Sequence, residues 1–178
     1  MTDRELLQQA QKEGFLAAVV DTQQITFDAS FRPYCQQNLC GQYGANYSCP
    51  PDCGSPEEMK QRILAHKKVL VLQTRWKVAD YSDVAAILDG RNAHRAGEQR
   101  LAAFLQEKDL PFLRVGASGC SLCSPCKQSL GEPCPYPQLR YSCMSAYCIH
   151  VQKLAEVCNM DYDWNQGTVS FFGMFVYD

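Results

Sequence analysis

The sequence predicts an α/β or α+β protein, built as one mixed sheet flanked by helices and carrying two cysteine-rich loops. Three observations support this class. Helical and strand patterns alternate along the chain. The strand patterns are short apolar runs of buried-strand length, such as Val69-Leu70-Val71-Leu72. Two segments, at about 32–54 and 116–143, are dense in Cys, Gly, Pro and Ser and show neither helical nor strand period. With 178 residues, no internal repeat and no low-complexity linker, the chain is expected to form a single domain over 1–178. Its 46% hydrophobic and 20% charged residues are those of a folded chain, not a disordered one.

The elements follow in order. Thr2 and Glu5 have capping-box spacing and Gly14 is a stop signal, so Asp3 to Glu13 reads as a helix. Phe15–Val20 and Ile25–Phe27, separated by a polar turn, predict a hairpin. After the first cysteine loop, Ser55-Pro56-Glu57-Glu58 supplies an N-cap, a proline at the first helical position and a glutamate at the third, launching a helix to about His66. Val69 to Thr74 is a strand. Asp80 to Lys108 is alanine-rich and helical, with Gly90 and Gly97 as predicted break points. Pro111–Val115 is a further strand, and Gly116–Cys143 is the second irregular segment. A helical stripe of Tyr147, Val151, Leu154 and Cys158 then predicts a helix over Met144–Cys158, and Val169–Val176 a terminal strand.

Charge and segment lengths exclude several functions. The formal net charge is -2 and no dense run of lysine and arginine occurs, so a nucleic-acid partner is not expected. The start of the chain has no basic stretch followed by an apolar run, and no apolar segment approaches the roughly 20 residues that span a bilayer. A soluble, cytoplasmic protein without membrane contact is the expectation. No G-x-G-x-x-G or P-loop is present, and the three scattered histidines give no basis for a Ser-His-Asp arrangement.

Eleven cysteines in such a chain point to metal, because thiols in a reducing compartment seldom form structural disulfides. A disulfide framework is the rival, but it belongs to small secreted chains. The strongest signal is Cys120-x2-Cys123-x2-Cys126, followed after seven residues by Cys134-Pro135. Bacterial ferredoxins use this triple spacing and a final Cys-Pro to hold the corners of a [4Fe-4S] cubane, although their last gap is shorter. Small residues at Gly119, Ser121 and Ser124 let backbone N–H groups approach cluster sulfurs. Structural zinc is the alternative, though zinc sites more often join two separated pairs.

The first loop holds Cys35, Cys40, Cys49 and Cys53 at gaps of x4, x8 and x3. Its glycines permit tight turns, and Pro50 and Pro51 stiffen the chain beside Cys49. A second [4Fe-4S] cluster is the preferred reading. A zinc site, or a split in which some of these thiols complete the downstream site, are the alternatives. Cys143 and Cys148 repeat the x4 gap of Cys35 and Cys40, so either is a candidate to replace an assigned ligand. Cys158 reads as a buried thiol, and His66, His94 and His150 as structural. Tyr34, Tyr43, Tyr47, Tyr136 and Tyr141 crowd the loops, either shielding clusters or packing the chain.

These residues resemble the prokaryotic predicted metal-binding proteins, a family defined by a domain of unknown function. The resemblance covers nearly the whole chain. It rests on Cys35 and Cys40, Tyr43-Gly44 leading into Cys49-Pro50-Pro51, Pro56-Glu57-Glu58, and Cys120, Cys123, Cys126 and Cys134. It continues in Met144 to Val151, where the family tends to read Met-Glu-Ala-Tyr-Gly-Ile-Asp-Val and this chain has Ser145, Cys148 and His150 as departures. Roles of those family carboxylates do not carry over. The resemblance implies metal binding and a redox role and names no substrate.

The expected function is electron transfer or redox sensing by an iron-sulfur protein with a redox partner protein. The alternatives are an enzyme using an open cluster iron as Lewis acid, with no catalytic side chain assigned, and a structural zinc module.

Overall fold

The capping residues set two of the helices. In α1 (Asp3–Lys12) the Thr2 N–H donates to Glu5 Oε2 at 2.7 Å and the Glu5 N–H to Thr2 Oγ1 at 3.3 Å. Ser55 and Glu58 form the same reciprocal pair, at 2.8 and 3.2 Å, ahead of α3 (Pro56–Leu64). Between them lie strand β1 (Leu16–Asp21) and the short helix α2 (Arg32–Gln36). Strand β2 (Lys68–Lys77), the long helix α4 (Val84–Glu107), strands β3 (Leu113–Gly116) and β4 (Ser142–Cys143), helix α5 (Val151–Val157) and strand β5 (Thr168–Tyr177) complete the chain. The computed structural model describes residues 1–162 and 167–178.

The five strands form one mixed sheet in the order β1-β2-β5-β3-β4, an α+β arrangement. All neighbours run antiparallel except β3 and β4, which are parallel. The centre is the ten-residue ladder of β2 on β5, from Lys68 opposite Tyr177 to Lys77 opposite Thr168. Alternation along these strands sorts side chains to two faces. Val69, Val71, Phe172, Met174 and Val176 face α3 and α5, meeting Met59, Ile63, Leu154 and Ala155. Leu70, Leu72, Phe175 and Tyr177 face the other way, onto Leu6 and Ala10 of α1 and Leu101 and Leu105 of α4. The sheet is thus covered by helices on both sides.

Three local expectations are corrected. Phe15–Phe27 is not a hairpin: β1 pairs with β2, with Leu16 opposite Gln73 and Asp21 opposite Lys68. The polar turn closes as a 3-10 turn over Thr22–Gln24, and the Thr22 hydroxyl donates to the His66 carbonyl at 2.6 Å, docking the turn on β2's entry. Ile25 then enters the core, and Phe27 makes only an isolated bridge to Ile149.

Nor do Gly90 and Gly97 break α4, which runs unbroken for 24 residues. A Cβ at Gly90 would lie 2.6 Å from Trp76 Cγ, and one at Gly97 would lie 2.7 Å from Phe15 Cζ. Both glycines are close-approach positions for aromatic rings, which local propensity does not reveal.

The Met144–Cys158 helix is also shorter than expected. Residues 144–148 turn, with Cys148 in the left-handed region at φ 55°, and α5 starts only after His150, whose ring Nδ1 faces the Lys153 N–H at 3.5 Å as a cap.

Candidate metal centre

The two cysteine loops, distant in sequence, lie side by side. Asn46 Nδ2 donates to the Cys120 carbonyl at 3.1 Å, the Tyr47 hydroxyl to the Glu132 carbonyl at 2.8 Å, and Gln128 Nε2 to Asp52 Oδ2 at 3.2 Å. At the centre of this seam a Cβ on Gly119 would sit 3.3 Å from Cys49 Sγ, so the backbone just before the downstream cysteines packs directly on an upstream sulfur.

The first loop is folded by its own polar groups. Asn46 Oδ1 accepts from the Ser48 N–H at 3.0 Å and its carbonyl from the Cys49 N–H at 2.9 Å. The Cys53 N–H donates to the Cys49 carbonyl at 3.0 Å. Arg32, at the head of α2, donates from Nη1 to the Gly54 carbonyl at 2.8 Å and from Nη2 to the Ala146 carbonyl at 2.9 Å. One guanidinium therefore ties the end of the first loop to the turn after β4.

Downstream, Cys120, Cys123, Cys126 and Cys134 line one pocket, together with Asn46 and Ser48 from the first loop and the cations Lys127 and Arg140. Among the described residues no carboxylate or imidazole joins this lining. Cys126 leads into a 3-10 turn over Lys127–Leu130, and its carbonyl accepts from the Ser129 hydroxyl at 2.7 Å. Burial pushes the Cys123 thiol up, followed by the other three thiols around it. Below the loop, the Tyr141 hydroxyl lies 3.1 Å from Ser121 Oγ, and its ring carries the Arg114 guanidinium at 3.8 Å from the centroid.

The upstream thiols divide into two settings. Cys35, Cys40, Cys49 and Cys143 lie near enough to influence one another electrostatically. Burial pushes Cys35 and Cys49 up, and in both cases Cys143 is the neighbouring thiol with the strongest effect. Burial likewise raises Cys143, while backbone hydrogen bonds from Ala146 and Ser145 pull it back down. Cys53, by contrast, is 3% exposed and belongs to the apolar core with Met59, Ile63 and Tyr147, its sulfur 4.0 Å from Arg32 Nη1. Cys148 is buried, and burial pushes the half-buried Cys158 up to about 11, as fits a packing thiol. All eleven cysteines are free.

Among the described residues, no three His, Cys, Asp or Glu side chains form a group that would hold a metal ion. The chemistry of the donors nevertheless fits an iron-sulfur group, since the downstream lining offers four thiols and no carboxylate or imidazole. Ser48 adds a second observation: it is 1% exposed, lines the downstream pocket, and its Oγ has no partner. A hydroxyl in that position suits a sulfur acceptor.

The family model described as Predicted metal-binding protein (DUF2284) matches residues 18–177. The chain belongs to that family. Its match spans both cysteine loops and every strand but the start of β1, so family membership attaches to the cysteine-bearing fold as a whole. No curated protein and no solved structure matches the chain.

Several contributors were not singled out by spacing. Arg32, Asn46, Ser48 and Arg114 act through contacts across the seam or beneath the loops. The only local hint was that Asn46 and Ser48 lie within three residues of Cys49. The tyrosines divide: Tyr141 is buried under the second loop, Tyr47 and Tyr136 line the four-cysteine pocket, and Tyr34 is exposed. His66 pairs with Asp178 at 3.0 Å, His150 caps α5, and His94 is buried between Thr74 and Glu98, so all three serve structure. No helix among the described residues is long and apolar enough to cross a membrane.

Proposed function

We propose that this protein binds a [4Fe-4S] cluster through Cys120, Cys123, Cys126 and Cys134 and serves in electron transfer or redox sensing. A second cluster draws on the upstream cysteines: Cys35, Cys40 and Cys49, completed by Cys53 or Cys143. The observation that carries this reading is the pocket shared by Cys120, Cys123 and Cys126, at C-x2-C-x2-C spacing, and Cys134, with no carboxylate or imidazole in its lining. Such a cluster, when bound, supplies one-electron redox chemistry. The chain's part is to supply thiolates, place Lys127 and Arg140 beside their negative charge, and exclude water with the wall formed by the first loop.

A redox partner protein is part of the reading. Leu39 (89% exposed), Tyr34, Leu130, Tyr136 and Leu139 are exposed large hydrophobics, and all lie on or beside the two cysteine loops, where a docking partner would approach the clusters. Eleven free thiols suit a reducing compartment such as the cytoplasm.

The test is anaerobic purification followed by iron, sulfide and zinc analysis with a visible spectrum. The reading expects about eight iron and eight sulfide per chain with broad brown absorbance for two cubanes, or about four of each for one. Zinc with negligible iron and sulfide, from iron-replete anaerobic cultures, would replace it with a structural zinc module.

A further inference from the structure

We infer that Arg91 and Arg95 of α4, together with the Ser118 hydroxyl, form a binding site for a phosphate group at the root of the second cysteine loop. The site uses no cysteine, and its ligand is free phosphate or a phosphate monoester.

The helix brings the two cations together. Arg91 and Arg95 are four residues apart on the unbroken α4, so their side chains leave neighbouring positions on one face. The chain after β3 runs back along that face. Arg114 Nη2 and the Ala117 N–H donate to Glu98 at 2.8 and 3.1 Å, and nearer the start of α4 Arg95 Nη2 donates to Ser118 Oγ at 2.5 Å. Arg91, one turn earlier again, continues this line toward the residues that follow Ser118.

Neither guanidinium is compensated. Both side chains are half-buried, and the Nε of each is buried without a partner. Among the described residues neither enters an ion pair. Glu98, three residues beyond Arg95, is taken up by Arg114 and the Ala117 N–H. Asp89, two residues before Arg91, is exposed and falls on another side of the helix. Burial, and after it the neighbouring Arg95, pull Arg91 below the ordinary arginine range. Arg100, further along the same helix, shows the contrast: it is paired with Glu13 at 2.6 Å. Two like charges side by side and partly out of water are unfavourable by themselves, and an anion between them removes the conflict.

The donor set selects the anion. A guanidinium presents parallel N–H groups that match phosphate or carboxylate oxygens two at a time. A carboxylate brings one charge and two oxygens, which leaves one of the two cations unmatched. A phosphate monoester carries about -1.5 to -2 charges near neutral pH and three acceptor oxygens, enough for two guanidiniums and a hydroxyl. Ser118 Oγ accepts from Arg95 and keeps its own proton to donate. Because Ser118 lies two residues ahead of Cys120, a bound phosphate ties α4 to the start of the second cysteine loop.

The experiment is calorimetric titration of inorganic phosphate into the full-length protein, purified without oxygen, at constant ionic strength. Wild type is expected to bind about one phosphate per chain. Arg91→Met and Arg95→Met keep the packing of the side-chain stem and remove the guanidinium, and each should weaken binding by about tenfold or more. Arg100→Met should bind as wild type does. Without phosphate, Arg91→Met should melt no lower than wild type, because an uncompensated charge has gone. Absence of saturable binding to wild type overturns the inference, as does equal weakening by Arg100→Met, which would mean diffuse attraction. An Arg91→Met protein that fails to fold, or melts below wild type without phosphate, gives Arg91 a structural role and overturns it too. Malonate binding as tightly as phosphate overturns the choice of anion. Glycerol phosphate separates the two sources: tighter binding than inorganic phosphate identifies a monoester as the ligand, and weaker binding identifies the free ion. None of these readouts depends on iron content, so the site and the iron-sulfur reading stand or fall separately.

Discussion

The hydroxyl of Ser48 is buried in the wall of the four-cysteine pocket without a partner, and an unpaired buried hydroxyl costs about 1–3 kcal/mol. A cluster sulfur is the acceptor that would offset that cost. A donor at a cluster sulfur favours the reduced form, which carries more negative charge. Ser48→Ala is therefore expected to retain its iron and sulfide while shifting the downstream cluster's midpoint potential to more negative values. Potentiometric titration followed by EPR would show it, and an unchanged potential would remove Ser48 from the site. At this scale the gathering of Cys120, Cys123, Cys126 and Cys134 around one pocket was legible, because spacing within one turning loop is a local property. The setting of the upstream cysteines was less legible. Spacing puts Cys53 four residues after Cys49, but spacing carries no side-chain direction, and Cys53 is buried in the apolar core.

Among the elements, those begun by side-chain caps were readable from sequence: α1 and α3 start where Thr2 and Ser55 place them. Elements defined by distant partners were not. The β1 run pairs with β2 across the whole first cysteine loop, and no feature of Phe15–Phe27 states that its neighbour is Lys68–Gln73. Helix α4 makes the same point through Gly97. On local propensity, alanine there should add about 1 kcal/mol of helix stability. Its Cβ, however, would lie 2.7 Å from Phe15 Cζ, and Phe15 is buried edge-on to His94 with ring centroids 5.1 Å apart. Overpacking of this kind costs about 1–3 kcal/mol, which exceeds the propensity gain. Gly97→Ala should therefore lower the melting temperature despite its better helix propensity. A raised melting temperature would mean that Phe15 repacks freely.

Across the whole molecule, a buried polar chain connects the helical layer to the cysteine loops. Glu98 of α4 accepts from Arg114 Nη2 at 2.8 Å and from the Ala117 N–H at 3.1 Å, with His94 Nε2 3.2 Å away. Arg114 stacks on Tyr141, whose hydroxyl meets Ser121, the residue after Cys120. Glu98 and Arg114 are 1% and 7% exposed, so this is an ion pair out of water. Removing one partner of such a pair costs about 3–5 kcal/mol, because the other charge stays buried and uncompensated, whereas removing both is far cheaper. Glu98→Gln is accordingly expected to lose about 3 kcal/mol in anaerobic denaturant unfolding, the low end applying because the amide oxygen still accepts from Arg114. It should also release iron to a chelator faster than wild type, since the Arg114–Tyr141–Ser121 path supports the downstream loop. Adding Arg114→Met should then recover part of the lost stability without restoring iron retention, because the methionine has no guanidinium to stack on Tyr141. Equal stability in the single and double variants would show that the buried charge is not what holds these layers together, and wild-type iron release in Glu98→Gln would show that the path does not reach the loop.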